Sequence, residues 1–275
     1  MNSGAPWNLL SDDPTAAAAR RKLVVYIVIP LLSFALHFHI FPRDLVGFHA
    51  WRQTQTQINV ENFYSEDMNI LYPRINERGD GDGIHRMDFP LMQWIFALVY
   101  RLLGHDVLLS RLLSFVIGVV TLYGFNHLIR NVFRDNRHAV FGVWAFCFSP
   151  VFYYYTVNPM PDNFALCCSV WGMALFFKYI RTKSLIDASL SAVCLGVATL
   201  AKPPFVVCLA GVAAYIMTGA VRSGFRHGKE YFSSRSFTSF FSFRHRFGTP
   251  QSFHNGRATA SYGGYWTADS LSSNS

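Results

Sequence analysis

Residues 89–104 read Phe-Pro-Leu-Met-Gln-Trp-Ile-Phe-Ala-Leu-Val-Tyr-Arg-Leu-Leu-Gly, an apolar run opened by Phe-Pro and interrupted by Gln93 and Arg101. Whether this run crosses a membrane decides which face of the bilayer receives everything after it. Around it lie six other apolar runs, at 23–41, 112–129, 139–155, 164–177, 185–200 and 203–221. At about 1.5 Å of rise per residue these suit a hydrocarbon layer of about 30 Å, the shorter ones with help from flanking polar residues. If 89–104 does not cross, four basic groups share one face: Arg20, Arg21 and Lys22; Arg130, Arg134 and Arg137; Lys178, Arg181 and Lys183; Arg222, Arg226 and Lys229. If it crosses, the last three groups change sides and break the rule that Lys and Arg gather in cytoplasmic loops. The run is therefore expected to lie in the outer interface or to re-enter from it, as suits about 15 apolar residues.

The expected fold is all-α and integral to a membrane, with about six transmembrane helices and the N-terminus in the cytoplasm. Interfacial helices are expected in a long first outer loop, 42–106. The chain divides into a cytoplasmic segment 1–22, a multi-span domain 23–221 and a tail 222–275. Composition agrees: 51% of the 275 residues are hydrophobic and 15% charged, against about 25% charged in soluble domains. The 24 basic residues against 16 acidic are read as membrane topology, so no nucleic-acid partner is expected. Cys147, Cys167, Cys168, Cys194 and Cys208 all sit in apolar stretches and carry no metal-type spacing. The run 23–41 exceeds the apolar core of a signal peptide and lacks a cleavage site, so it is expected to be retained as the first span.

Polar chemistry concentrates on the outer side. The loop 42–106 holds Asp44, His49, Arg52, Gln53 and Asp88 among its polar residues, and a connector that long is a functional candidate. Residues 51–63 lack Gly and Pro and suit a short interfacial helix, with Trp51 either an aromatic-belt anchor or part of a site. Gly-Asp-Gly-Asp-Gly at 79–83 places two carboxylates two residues apart, but the later calcium ligands are missing and a turn is expected. Asp162, ahead of an apolar helix, reads as its N-cap and also as a carboxylate facing the outer loop. Asp88 ahead of Phe89-Pro90 has the same double reading. Lys202 stands on the outer face against the charge rule, where it either snorkels or meets a lipid phosphate.

A set of motifs now stands in order. They are His-Ala-Trp-Arg-Gln-Thr-Gln-Thr at 49–56, Leu-Tyr-Pro-Arg at 71–74, Asp-Phe-Pro-Leu at 88–91, Arg-Leu-Leu-Ser at 111–114, Pro-Asp-Asn-Phe-Ala-Leu at 161–166 and Gly-Val-Ala-Thr-Leu-Ala-Lys-Pro at 196–203. Together they resemble the GT-C glycosyltransferases over residues 23–221. More narrowly they resemble the bacterial branch related to the dolichyl-phosphate-mannose protein mannosyltransferases and the lipid A aminoarabinose transferase. The resemblance implies a polyprenyl-phosphate-sugar donor in the bacterial cytoplasmic membrane and transfer with inversion to an acceptor at its outer face. It also implies a carboxylate base, and a cation or divalent metal ion at the departing phosphate. By that resemblance Asp162 matches the acidic residue after the third span, and Lys202 a basic residue before the next helix. An acidic pair usual after the first span aligns instead with Arg52 and Gln53, so the base duty is left open among Asp44, His49 and Asp88. Catalytic roles are thus expected of Asp88, Asp162 and His49, and substrate contacts of Asp44, Arg52, Gln53 and Lys202, with the metal requirement open.

From Gly228 onward the sequence loses any helical or strand period, as in Ser-Phe-Thr-Ser-Phe-Phe-Ser-Phe-Arg-His-Arg-Phe at 236–247. It reads as disordered, or as the product of a frameshift in a gene whose relatives continue through further spans. The rival expectation is a non-enzymatic membrane protein: a transporter, a scaffold for lipid-linked sugars or an inactive fragment. A transporter calls for ionisable groups along a mid-membrane path, whereas here they gather at one surface.

Overall fold

The computed structural model describes residues 14–45, 47–76, 81–84, 88–133 and 136–222, all within one compact unit, Met1–Phe237. The expectation for the tail from Gly228 onward and that for Asp80 lie outside the described residues. Among the described residues the fold is helical, with no strand and one isolated antiparallel bridge between Arg74 and Ile84. Asp82 turns its carboxylate onto the Ile84 N–H at 3.0 Å, so residues 81–84 form the expected turn.

The first apolar run is helical from α1 (Pro14–Leu23) through a π-turn (Val24–Val28) into α2 (Ile29–His37). Pro30 has no N–H for the carbonyl four residues back, that of Tyr26. The Tyr123 hydroxyl supplies the missing donor at 2.9 Å, tying this helix to α5 (Val107–Phe133). Among the described residues two helices are long and apolar enough to cross a membrane by themselves: α5 and α8 (Pro161–Thr182).

The expected straight span 139–155 is broken. Instead α6 (Asn136–Cys147) and α7 (Pro150–Val157) meet at 64°. Pro150 cannot continue a helix, and it holds Ser149 extended, where the Ser149 hydroxyl accepts the Phe152 N–H at 3.4 Å as an N-cap. Shorter apolar helices follow in α9 (Leu185–Ala201) and α10 (Val206–Arg222), joined by a 3-10 turn at Pro203–Phe205.

Between α2 and α5 the long loop carries α3 (Ala50–Ser65) and α4 (Leu91–Leu103), each near its expected place. At about 1.5 Å per residue the 13 residues of α4 fall short of a crossing. Val60 and Phe63 of α3 bury against Met92, Phe96, Ala97 and Tyr100 of α4, so the two helices form one amphipathic layer. Burial raises the Tyr100 phenol above its ordinary value. Its neutral hydroxyl donates to the Asp106 carbonyl at 2.7 Å and accepts from Gln57 at 2.8 Å, fixing that layer to the start of α5.

Close helix approach depends on small residues. A Cβ on Gly172 of α8 would stand 2.6 Å from Leu195 Cγ of α9, and the Ser191 hydroxyl donates to the Gly172 carbonyl at 2.7 Å. Gly172→Val is therefore expected to push α9 off α8 and cost about 1–3 kcal/mol. Thermal unfolding in detergent checks it, and an unchanged midpoint would contradict this contact.

Candidate functional site

The C-terminus of α9 organises the site. Pro203 and Pro204 have no N–H groups, so the Thr199 and Leu200 carbonyls are denied their helical partners. The Phe89 N–H takes up the Leu200 carbonyl at 3.2 Å, docking the segment ahead of α4 onto the end of α9. Lys202, preceding a proline, is extended at φ −152° and ψ 107°. Asp88 and Lys202, 114 positions apart in the chain, consequently meet, with Lys202 Nζ 3.5 Å from Asp88 Oδ2.

Two further elements bring their charges to the same place. Lys202 Nζ lies 3.4 Å from Asp162 Oδ2 in the first turn of α8. Arg52, in the first turn of α3, donates from Nη2 to Asp88 Oδ2. Asp162 is not the N-cap expected from the sequence. Met160 holds that position with no side-chain cap and Pro161 begins the helix, which leaves the Asp162 carboxylate free to turn onto Lys202. An acid in the first turn still complements the positive end of the helix. The Asn163 side chain donates to the Ser114 carbonyl at 2.9 Å and so fixes this end of α8 against α5.

The carboxylates differ in what they already hold. Asp88 Oδ2 serves two cations and its side chain is 14% exposed, whereas Asp162 faces Lys202 and is 31% exposed. Lys202 is shared between them at ion-pair distances longer than a good hydrogen bond. It is a point charge able to move to a better anion.

The other expected residues stand apart from this quartet. Gln53 is fully buried, and its amide donates to the Phe48 carbonyl at 3.3 Å and to the Tyr154 hydroxyl at 3.1 Å. Tyr154 also donates to the Phe48 carbonyl, so Gln53 and Tyr154 together pin the chain entering α3. His49 takes the left-handed conformation at φ 59° just before α3, exposed, with its ring edge-on to Phe48. The exposed Asp44 enters through its backbone carbonyl, which accepts from Arg111 Nη2 at 2.7 Å.

Three residues outside the expected set matter. Arg111 of α5, 1% exposed, donates to the carbonyls of Arg43, Asp44 and Val157 and to Asn158 Oδ1. It joins the start of the long loop between α2 and α5 to the turn before α8. Gln93 and Asn59 line a narrow cleft of about 30 Å³ that also contains Arg52, Thr56 and Asp88. Gln93 Oε1 and Asn59 Oδ1 are buried there without a hydrogen-bond partner among the described residues. Gln93 is visible in the sequence as the polar interruption of an apolar run. Asn59 carries no such signal.

Among the described residues no three His, Cys, Asp or Glu side chains converge on one point, and Asp88 and Asp162 are turned onto an ammonium. Positive charge at this site comes from Lys202 and Arg52.

Residues 88–242, more than half of the chain, match the family model described as dolichyl-phosphate-mannose-protein mannosyltransferase. No curated protein matches the chain.

Proposed function

This chain belongs to the dolichyl-phosphate-mannose-protein mannosyltransferase family, membrane glycosyltransferases of the GT-C type, and on that premise we propose that it moves a sugar from a polyprenyl phosphate to an acceptor hydroxyl at the outer face of a bacterial cytoplasmic membrane. The shorter apolar helices complete their crossings with flanking residues, the N-terminus lies in the cytoplasm, and α3 and α4 rest on the outer surface above the lipid.

The observation that carries this reading is the shared ammonium of Lys202 between Asp88 and Asp162. The donor is a phosphodiester with one negative charge, and its phosphate draws Lys202 and Arg52 toward itself. Asp162, released from Lys202, accepts the proton of the acceptor hydroxyl as that oxygen bonds to the anomeric carbon. The bond from that carbon to the phosphate oxygen breaks on the opposite face, and the electron pair leaves with the phosphate. The polyprenyl phosphate thereby gains a second negative charge, which Lys202 and Arg52 stabilise more strongly in the transition state than in the bound donor. Asp88 is a positioning residue that holds the two cations side by side. The unpartnered oxygens of Gln93 and Asn59 accept from sugar hydroxyls in the cleft beside Arg52.

Lys202→Gln keeps a polar side chain of similar reach and removes the charge. It is expected to weaken binding of a polyprenyl phosphate by about tenfold or more, the scale of one charge-assisted contact of about 1.5–3 kcal/mol. Titration of a fluorescent polyprenyl phosphate into the detergent-solubilised protein measures this directly. Equal affinity in wild type and variant would remove Lys202 from the phosphate site.

A further inference from the structure

A second concentration of charge lies at the other end of the same helices. Asp162 begins α8 and Lys178 nears its end, and 16 residues at about 1.5 Å each separate them by roughly 24 Å, comparable to a hydrocarbon layer of about 30 Å. At that far end His127 and Arg130 of α5 face Trp171, Lys178 and Arg181 of α8 across an open cleft of about 550 Å³. Among the described residues no carboxylate lines it. Asp187 offsets Lys178 at 2.9 Å from outside the cleft, and Arg181 donates to Asn131 Oδ1 at 2.8 Å. Arg130 makes no hydrogen bond or ion pair among the described residues, and it also lines a neighbouring cleft with Arg21 and Lys22.

Membrane topology accounts for cations on this face but not for their convergence on one cleft from α5 and α8. Its walls grade from apolar to charged. Ala174, Leu175 and Trp171 line it, with the Trp171 indole N–H already donating to the Val120 carbonyl at 3.0 Å. An apolar wall below and cations above suit a molecule with an acyl chain and an anionic phosphate, and the cleft opens between helices where lipid stands. We infer that this cleft binds the headgroup phosphate of an anionic phospholipid at the membrane face opposite the transfer site. Arg130 and Arg181 grip the phosphate, and the upper acyl chain lies along Ala174 and Leu175. This inference does not depend on the transfer reaction.

Native mass spectrometry of the full chain in a neutral detergent, titrated with phosphatidylglycerol or phosphatidylcholine of the same acyl composition, tests it. Phosphatidylglycerol is expected to bind roughly five- to tenfold more tightly than phosphatidylcholine. Arg130→Gln, which breaks no bond among the described residues, is expected to erase most of that preference, and Arg130→Glu to reverse it. Lys202→Gln, at the other face, is expected to leave it unchanged. Equal binding of the two lipids, or an unchanged preference in both Arg130 variants, would overturn the site. Competition by millimolar inorganic phosphate as strong as that of the lipid would overturn its assignment to a phospholipid.

Discussion

Asp162→Asn is expected to lower the rate of sugar transfer by about a hundred- to ten-thousandfold, the range associated with losing a positioned general base. The replacement is nearly isosteric. It preserves the first turn of α8, where Pro161 starts the helix and Asn163 holds Ser114, and removes only the charge and the basic lone pair. Membrane insertion and thermal stability should therefore stay close to wild type, and binding of polyprenyl phosphate should persist because Lys202 and Arg52 remain. The loss should fall on kcat. Asp88→Asn should also impair transfer, but by a different route. Arg52 and Lys202 both rest on Asp88 Oδ2, so without that charge the two cations lose their common anchor and donor KM should rise as well. Transfer assays with labelled donor in isolated membranes separate the two patterns. Full activity in Asp162→Asn would exclude it as the base and return that duty to Asp88.

Arg111→Met should be the most damaging single change to the fold, with an expected loss of about 3–5 kcal/mol. Its guanidinium is buried among four oxygens, three of them backbone carbonyls, supplied by residues 43, 44, 157 and 158. Without the arginine those buried acceptors have no donor, at about 1–3 kcal/mol for each one left unsatisfied. The start of the long loop between α2 and α5 would also lose its link to the turn that leads into α8, and with it the placement of Asp162. Arg111→Lys should rescue little, since an ammonium cannot reproduce the planar fork that reaches both segments together. Protein accumulation in membranes and the unfolding midpoint in detergent read the effect. A lysine variant as stable as wild type would show that charge alone is needed there.

Helical elements were largely legible from one dimension, because hydropathy and Pro punctuation act locally. The runs at 185–200 and 203–221 correspond closely to α9 and α10, and the short apolar run at 89–104 to α4. The break at Ser149-Pro150 was also written in the chain, yet apolar character on both sides masked it. Asp162 was misread as a cap because its position ahead of an apolar helix suits capping. With Pro161 opening α8, the N-cap falls on Met160, two residues before Asp162, and Lys202 takes the carboxylate.

What the sequence determined by itself was therefore a helical membrane chain, its family resemblance, and a short set of charged residues gathered near one surface. Tertiary structure decided which of those charges meet. Asp88 reaches Lys202 because two prolines release the Leu200 carbonyl for the Phe89 N–H. Asp162 reaches it because Gly172 lets α9 lie close against α8. His49 and Asp44, equally plausible in the chain, are held elsewhere by the loop that Arg111 ties down. The physical reason is one of range: hydropathy and helix stops depend on neighbours within a turn or two, whereas an ion pair between distant residues exists only where packed helices and shared hydrogen bonds bring it within a few ångströms.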